Sequence, residues 1–367
     1  MRNYFYCLII LLGYSCANAQ PETATNQQLF EEYGITKTQS DSIFDKIKNF
    51  PNKTQIAIAI IKSGKVQFYG VERDQGSLKS VHNEESVFEI GSISKVFTST
   101  LLAGLFLDQK INSLDDPIDG YLGFSFKDDQ KLTFKELANH TSGLPRMPTN
   151  LIMTFMKRNN PFAAYDEVKL KRYLTDTMSL SKERSVAYSN LGVGLLGYTL
   201  AKIENTTYAE LLKNRITTKY ELLQTTAIRS EVEALVVKGR NGGTVVPNWD
   251  MAVLEGAGGI LSTVKDLSNF AIAQFSPENK ELSLTRVKTV SAGKKSAVGL
   301  GWFLLQTDFG NPIFFHNGGT GGYTSSMMLD LETRNGVIIL SNISAYSPNM
   351  GRIDKLTKSL MRTLKNE

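Results

Sequence analysis

The stretch FEIGSISKVF, Phe88 to Phe97, decides how this chain is read. A glycine, Gly91, stands directly before Ser92, and Lys95 follows within an otherwise apolar run. If a helix begins at the serine, its hydroxyl and backbone N–H sit at the positive helix end, among donors without an intrahelical partner. That is a favourable place for negative charge on an acyl oxygen. Lys95 lies about one turn further on and faces the same side. A serine hydroxyl is a poor nucleophile until its proton is accepted, and a lysine whose pKa is lowered by burial can accept it. Taken alone, S-x-x-K is better read as a capping serine beside a lysine lying along the surface, because the pattern recurs by chance.

The pattern is not alone. FEIGSISK resembles the active-site signature of class C β-lactamases, within the serine penicillin-binding-protein superfamily. Tyr188-Ser189-Asn190, in VAYSNLG, is similar to the Y-x-N element of that family. His316-Asn317-Gly318, in FFHNGGTGGY, stands where a K-T-G-like triplet is expected. LANHTSGLP from Leu137 and GAGGILSTVKDL from Gly256 are similar too. The elements occur in the family's order and cover nearly the whole chain after its leader.

The resemblance implies an acyl-enzyme serine hydrolase. Ser92 attacks a carbonyl, and Lys95 and Tyr188 share the proton traffic, with the tyrosine close to both. A free tyrosine titrates near ~10, so a tyrosinate is costly unless a cation lies beside it. Which of the two is the base is open at this level, and they are expected to titrate as a unit. Asn190 is expected to bind a substrate amide, or to stabilise its own turn. His316 and Gly318 are the substrate-binding members of the triplet. The oxyanion hole is expected from the N–H groups of Ser92 and, by resemblance, Gly319. His316 is the departure: relatives with lysine use that cation to hold a substrate carboxylate, whereas a histidine near ~6.5 is mostly neutral at pH 7. Relatives with histidine include esterases and D-amino-acid peptidases. β-Lactam hydrolysis is the first expectation. An esterase or DD-carboxypeptidase is the second, and a penicillin-binding sensor that acylates without turnover the third. His140, in NHTSGLP, is expected to pin a loop.

The expected fold is α+β and β-lactamase/transpeptidase-like. Gln55 to Ile61 (QIAIAII) and Lys65 to Gly70 read as a hairpin across Ser63-Gly64. Glu31 to Phe50 reads as a helix ended by Pro51, and Ser94 to Leu107 as a helix too apolar for a surface. The middle is helical, and Gly256 to Gly259 reads as a tight loop opening a helix through Gln274. Strands are expected at Leu300 to Gln306, Ile313 to His316, Thr324 to Leu331 and Gly336 to Ser341, then a helix from Met350 to Leu364. One antiparallel sheet from both chain ends, flanked by helices, closes this order most simply. The expected domain is a single unit over residues 20–367, with a sheet lobe at about 30–90 and 290–367 and a helical lobe at about 110–240.

Composition fits that picture. The 367 residues are 41% hydrophobic and 21% charged, with a net charge of +5 and interspersed signs. No basic stripe argues for nucleic acid. Arg2, the apolar Tyr4 to Gly13 and Ala17-Asn18-Ala19 read as a signal peptide over residues 1–19, with export to the periplasm or medium. Lipidation at Cys16 ranks below plain cleavage, because Gly13-Tyr14-Ser15 lacks a lipobox leucine. Both cysteines, Cys7 and Cys16, lie in this leader, so no disulfide or thiolate site is expected afterwards. No later segment is apolar for long enough to span a membrane. Three scattered histidines and the absence of H-E-x-x-H or a P-loop argue against a metal or nucleotide cofactor. G-x-S-x-G is absent too. The expected partner is a small-molecule substrate, and the expected state a monomer.

Overall fold

The computed structural model describes residues 35–151, 159–308 and 310–365. The proposed leader lies outside them. A nine-stranded antiparallel sheet forms from both ends of the chain. Its strands are β1 (Gln55–Lys62), β2 (Lys65–Asp74), β3 (Ser77–Ser80), β4 (Val290–Gly293), β5 (Ser296–Val298), β6 (Phe303–Gln306), β7 (Pro312–Gly319), β8 (Thr324–Asp330) and β9 (Asn335–Ser341). They lie in the order β3-β2-β1-β9-β8-β7-β6-β5-β4, so β1 pairs with β9 and joins the two chain ends.

QIAIAII is apolar at every position because both faces of β1 are covered. Ile56, Ile58 and Ile60 face one apolar layer with Val337 and Ile339. Helices α1 (Lys37–Ile47) and α5 (Gly351–Thr363) cover it with Ile43, Ile47, Ile353, Leu356 and Leu360. Ala57, Ala59 and Ile61 face the other layer, beside Ile338 and Leu340. There lie α2 (Ser94–Leu107) and α4 (Val264–Gln274), with α3 (Asn190–Ile203) beyond. Phe97 of α2 stacks on Phe270 of α4 at 4.3 Å between ring centroids. α2 is buried on nearly every side, as its composition requires.

Several boundaries differ from the expectations. α1 begins at Lys37, where Thr36 and Gln39 form a capping box. The GAGG segment is not a loop opening a single helix. Glu255–Gly258 is itself a helical turn, Leu261–Ser262 pairs with Phe88–Glu89, and α4 starts afresh from a Thr263 cap. β6 begins at Phe303 because Gly301 takes a left-handed turn before it. β3, β4 and β5 carry no apolar alternation: each is only three or four residues long and built mostly of small or polar side chains, and β3 and β4 are the two edges of the sheet. No helix among the described residues is long and apolar enough to cross a membrane.

Candidate active site

Ser92 lies in a single 3₁₀ turn, Gly91–Ile93, that runs straight into α2. Lys95, in the first turn of α2, is completely buried. Its Nζ donates to Ser92 Oγ at 3.0 Å and to the Ala257 carbonyl at 2.6 Å. Burial, with the nearby Arg146 cation, holds the Lys95 pKa well below the usual lysine range. An amine so placed is disposed to be neutral, with a lone pair free to take a proton.

Tyr188 enters from the helical side. The residue after it, Ser189, caps α3: its Oγ accepts from Gly192 N at 2.9 Å and donates to the Pro145 carbonyl at 2.7 Å. His140 Nδ1 accepts the Ser189 N–H at 3.3 Å, and its ring lies 4.5 Å from the Tyr188 ring. So His140 pins the segment that carries the tyrosine. Lys95 Nζ lies 4.9 Å from the Tyr188 ring centroid, and the phenol meets the Ser92 hydroxyl. Burial pushes the Tyr188 pKa up to about 12, against the opposing pull of Ser92 and Arg146. The phenol therefore keeps its proton at neutral pH.

The third wall is the end of β7. A Cβ on Gly318 would lie 2.0 Å from the Ile90 carbonyl and 2.8 Å from Ser92 N. A Cβ on Gly91, whose φ is +51°, would lie 2.5 Å from Gly319 N. Only glycines let the serine turn and β7 approach so closely. The approach brings Ser92 N and Gly319 N to the same edge of the cleft, where two donors can meet one oxygen.

His316 is placed differently from its neighbours. It is fully buried and does not line the cleft, whereas Asn317, Gly318 and Gly319 do. Its Nδ1 is 2.7 Å from the Asn317 carbonyl, so Nδ1 carries the proton. Burial and Lys95 bring its pKa down to about 3. It is a neutral ring behind Tyr188 and Phe303, at 6.4 Å and 5.6 Å between centroids. Asn190 lines the cleft, with its N–H on the Arg146 carbonyl at 3.0 Å and its side chain against Met147 Sδ at 3.7 Å.

The cleft has a volume of about 510 Å³. Sequence reasoning missed several of its walls: Arg146, Phe303, Trp249, Tyr346 and Met350. They come from loops and element ends with no periodicity of their own, Tyr346 and Met350 from the one connection between β9 and α5. Arg146 follows directly on the quoted LANHTSGLP string, the one signal that pointed nearby. Among the described residues, no group of three or more His, Cys, Asp or Glu side chains is placed to hold a metal ion.

A family model described as Beta-lactamase matches residues 45–359. The chain is 25% identical over 364 residues to Beta-lactamase-like protein 2 of Dictyostelium discoideum, covering 94% of this chain and 66% of that protein. It is 26% identical over 325 residues to the D-alanyl-D-alanine-carboxypeptidase/endopeptidase AmpH of Escherichia coli K12, covering 82% of each. A class C beta lactamase from Rhodobacter sphaeroides superposes with a TM-score of 0.74 at 19% identity, over 90% of this chain and 99% of that one. A Beta-Lactamase/D-Alanine Carboxypeptidase from Pseudomonas syringae gives 0.71 at 21%, over 89% and 97%. At those identities the two structures speak for the fold, which is the β-lactamase/transpeptidase fold. With one family model running from within α1 to within α5, the chain belongs to the beta-lactamase family.

Proposed function

We propose that this chain is an exported serine hydrolase working through an acyl-enzyme on Ser92, with carboxyl esters or D-amino-acid peptides preferred over β-lactams. The observation that carries the chemistry is the convergence of a buried lysine amine and a tyrosine phenol on the Ser92 hydroxyl. Ser92 Oγ attacks the substrate carbonyl carbon, and its proton passes to the Lys95–Tyr188 pair. The opposite directions of the two shifts favour Lys95 as acceptor and Tyr188 as a protonated relay. The oxyanion is held by the N–H groups of Ser92 and Gly319. Collapse breaks the bond to the leaving alcohol or amine, which takes the proton. Water then attacks the acyl ester, releasing a carboxylic acid and restoring Ser92. Asn190 contributes an amide contact on the cleft wall, and His316 supports Tyr188 from behind.

The substrate order rests on His316. A lysine there would present a cation, whereas this histidine is buried and neutral. The triplet therefore lacks the cation that relatives with lysine bring to β-lactam hydrolysis at this position, which puts that activity second, kept there by similarity to class C enzymes. Export rests on the leader sequence, and a monomer is the expected working state. The test sets p-nitrophenyl butyrate against a chromogenic cephalosporin, with intact mass followed over hours. Faster ester turnover supports the proposal and faster cephalosporin turnover reverses the order. A covalent adduct that persists without turnover identifies a binding protein instead.

A further inference from the structure

Among the described residues, Arg146 is the only charged side chain lining the cleft, and no acidic residue lines it. Among the described residues no carboxylate pairs with it. Some other arginines here find acids (Arg184 with Glu136, Arg215 with Asp108 and Glu204, Arg229 with Asp250, Arg362 with Asp308), and Arg73 and Arg240 hold backbone carbonyls instead. Its backbone is held, because the Arg146 carbonyl accepts the N–H groups of Asn190 and Leu191 at 3.0 and 3.2 Å. The residue is exposed, with its guanidinium Cζ 5.0 Å from the Tyr188 ring centroid. The other basic groups near Ser92 offer no rival, since Lys95 and His316 are both buried and do not line the cleft.

We infer that Arg146 recognises a carboxylate on the substrate, a few bonds from the scissile carbonyl, and so selects anionic substrates over neutral ones. The inference rests on the acyl-enzyme reading and adds to it the charge of the substrate. A guanidinium presents a planar fork that matches a carboxylate with two parallel hydrogen bonds. With no carboxylate of its own to displace, the fork is available to a ligand. Arg146 also acts on Lys95 and Tyr188 through its charge. That effect is common to all substrates, so a ratio between matched substrates separates it from recognition.

The test uses two matched ester pairs with the full-length mature chain. Hydrogen p-nitrophenyl adipate against methyl p-nitrophenyl adipate places the carboxylate on the acyl part. 4-Acetoxybenzoate against its methyl ester places it on the leaving group. In at least one pair, the anionic member is expected to have the higher kcat/KM by roughly tenfold, the scale of one hydrogen bond to a charged group. Arg146→Gln should bring that ratio close to unity and Arg146→Lys should restore part of it. The pair that responds identifies which part of the substrate carries the anion. A ratio near unity in both pairs for the parent protein, or a ratio unchanged in Arg146→Gln, overturns the inference. If no ester is turned over, the ester reading fails, and binding decides Arg146 by itself. Calorimetry with monomethyl adipate and dimethyl adipate on Ser92→Ala, with and without Arg146→Gln, either shows an Arg146-dependent preference for the anion or refutes it.

Discussion

The Nζ of Lys95 sits 3.0 Å from Ser92 Oγ and 2.6 Å from the carbonyl of Ala257, with no solvent around it. The backbone carbonyl fixes the amine, and burial withholds its charge. The local sequence places the pair one helical turn apart, and the Glu255–Gly258 turn supplies the carbonyl that aims it. Lys95→Met is therefore expected to slow Ser92 acylation by a fluorophosphonate by ~10²–10⁴-fold, the range for losing a positioned base. Stopped-time labelling read on a gel measures it, and a loss below tenfold would remove Lys95 from the proton path.

Tyr188→Phe keeps the ring that packs on His140 and removes only the phenol. Ester turnover should fall by ~10²–10⁴-fold, with the melting temperature nearly unchanged. Steady-state kinetics beside a thermal melt checks both. Full activity in this variant would leave the Lys95 amine as the sole proton carrier.

His316 gives a prediction about acid. Its folded pKa is about 3, against an ordinary value of 6.5. Between those values the unfolded chain binds the extra proton and the folded chain does not, so stability rises with pH. Stability is then lost as pH falls from about 6.5 towards about 3. His316→Gln removes this contribution while keeping a donor for the Asn317 carbonyl. Denaturant melts from pH 7 to pH 4 should show the parent losing more stability than the variant. Parallel acid limbs would mean that His316 takes a proton within the fold.

Gly318→Ala tests the approach of β7 to the serine turn. The new methyl would sit 2.0 Å from the Ile90 carbonyl and 2.8 Å from Ser92 N, so backbone must move. Labelling at Ser92 should fall by roughly 10²-fold or more, the cost of a misplaced oxyanion donor, and the melting temperature should drop. An active, equally stable variant would show that the approach is looser than described.

The sheet was legible where burial on both faces left a continuous apolar run, as in QIAIAII and the VIIL of β9. It was not legible at β3, β4 and β5, which run for four residues or fewer and carry mostly small or polar side chains. Ser92, Lys95 and Tyr188 could be named because family motifs fix them locally. The burial of His316 could not, since the covering rings of Tyr188 and Phe303 come from distant segments. Arg146 was missed for the same reason: its importance lies in the absence of an acid around it, which only the assembled walls reveal.

The central claim is a transient covalent bond at one hydroxyl. Reaction of the mature chain with a fluorophosphonate, followed by proteolysis and peptide mass mapping, tests it most directly. The account predicts a single adduct on the peptide containing Ser92, and none on the same peptide from Ser92→Ala. An adduct on another residue, or undiminished labelling of Ser92→Ala, would contradict it.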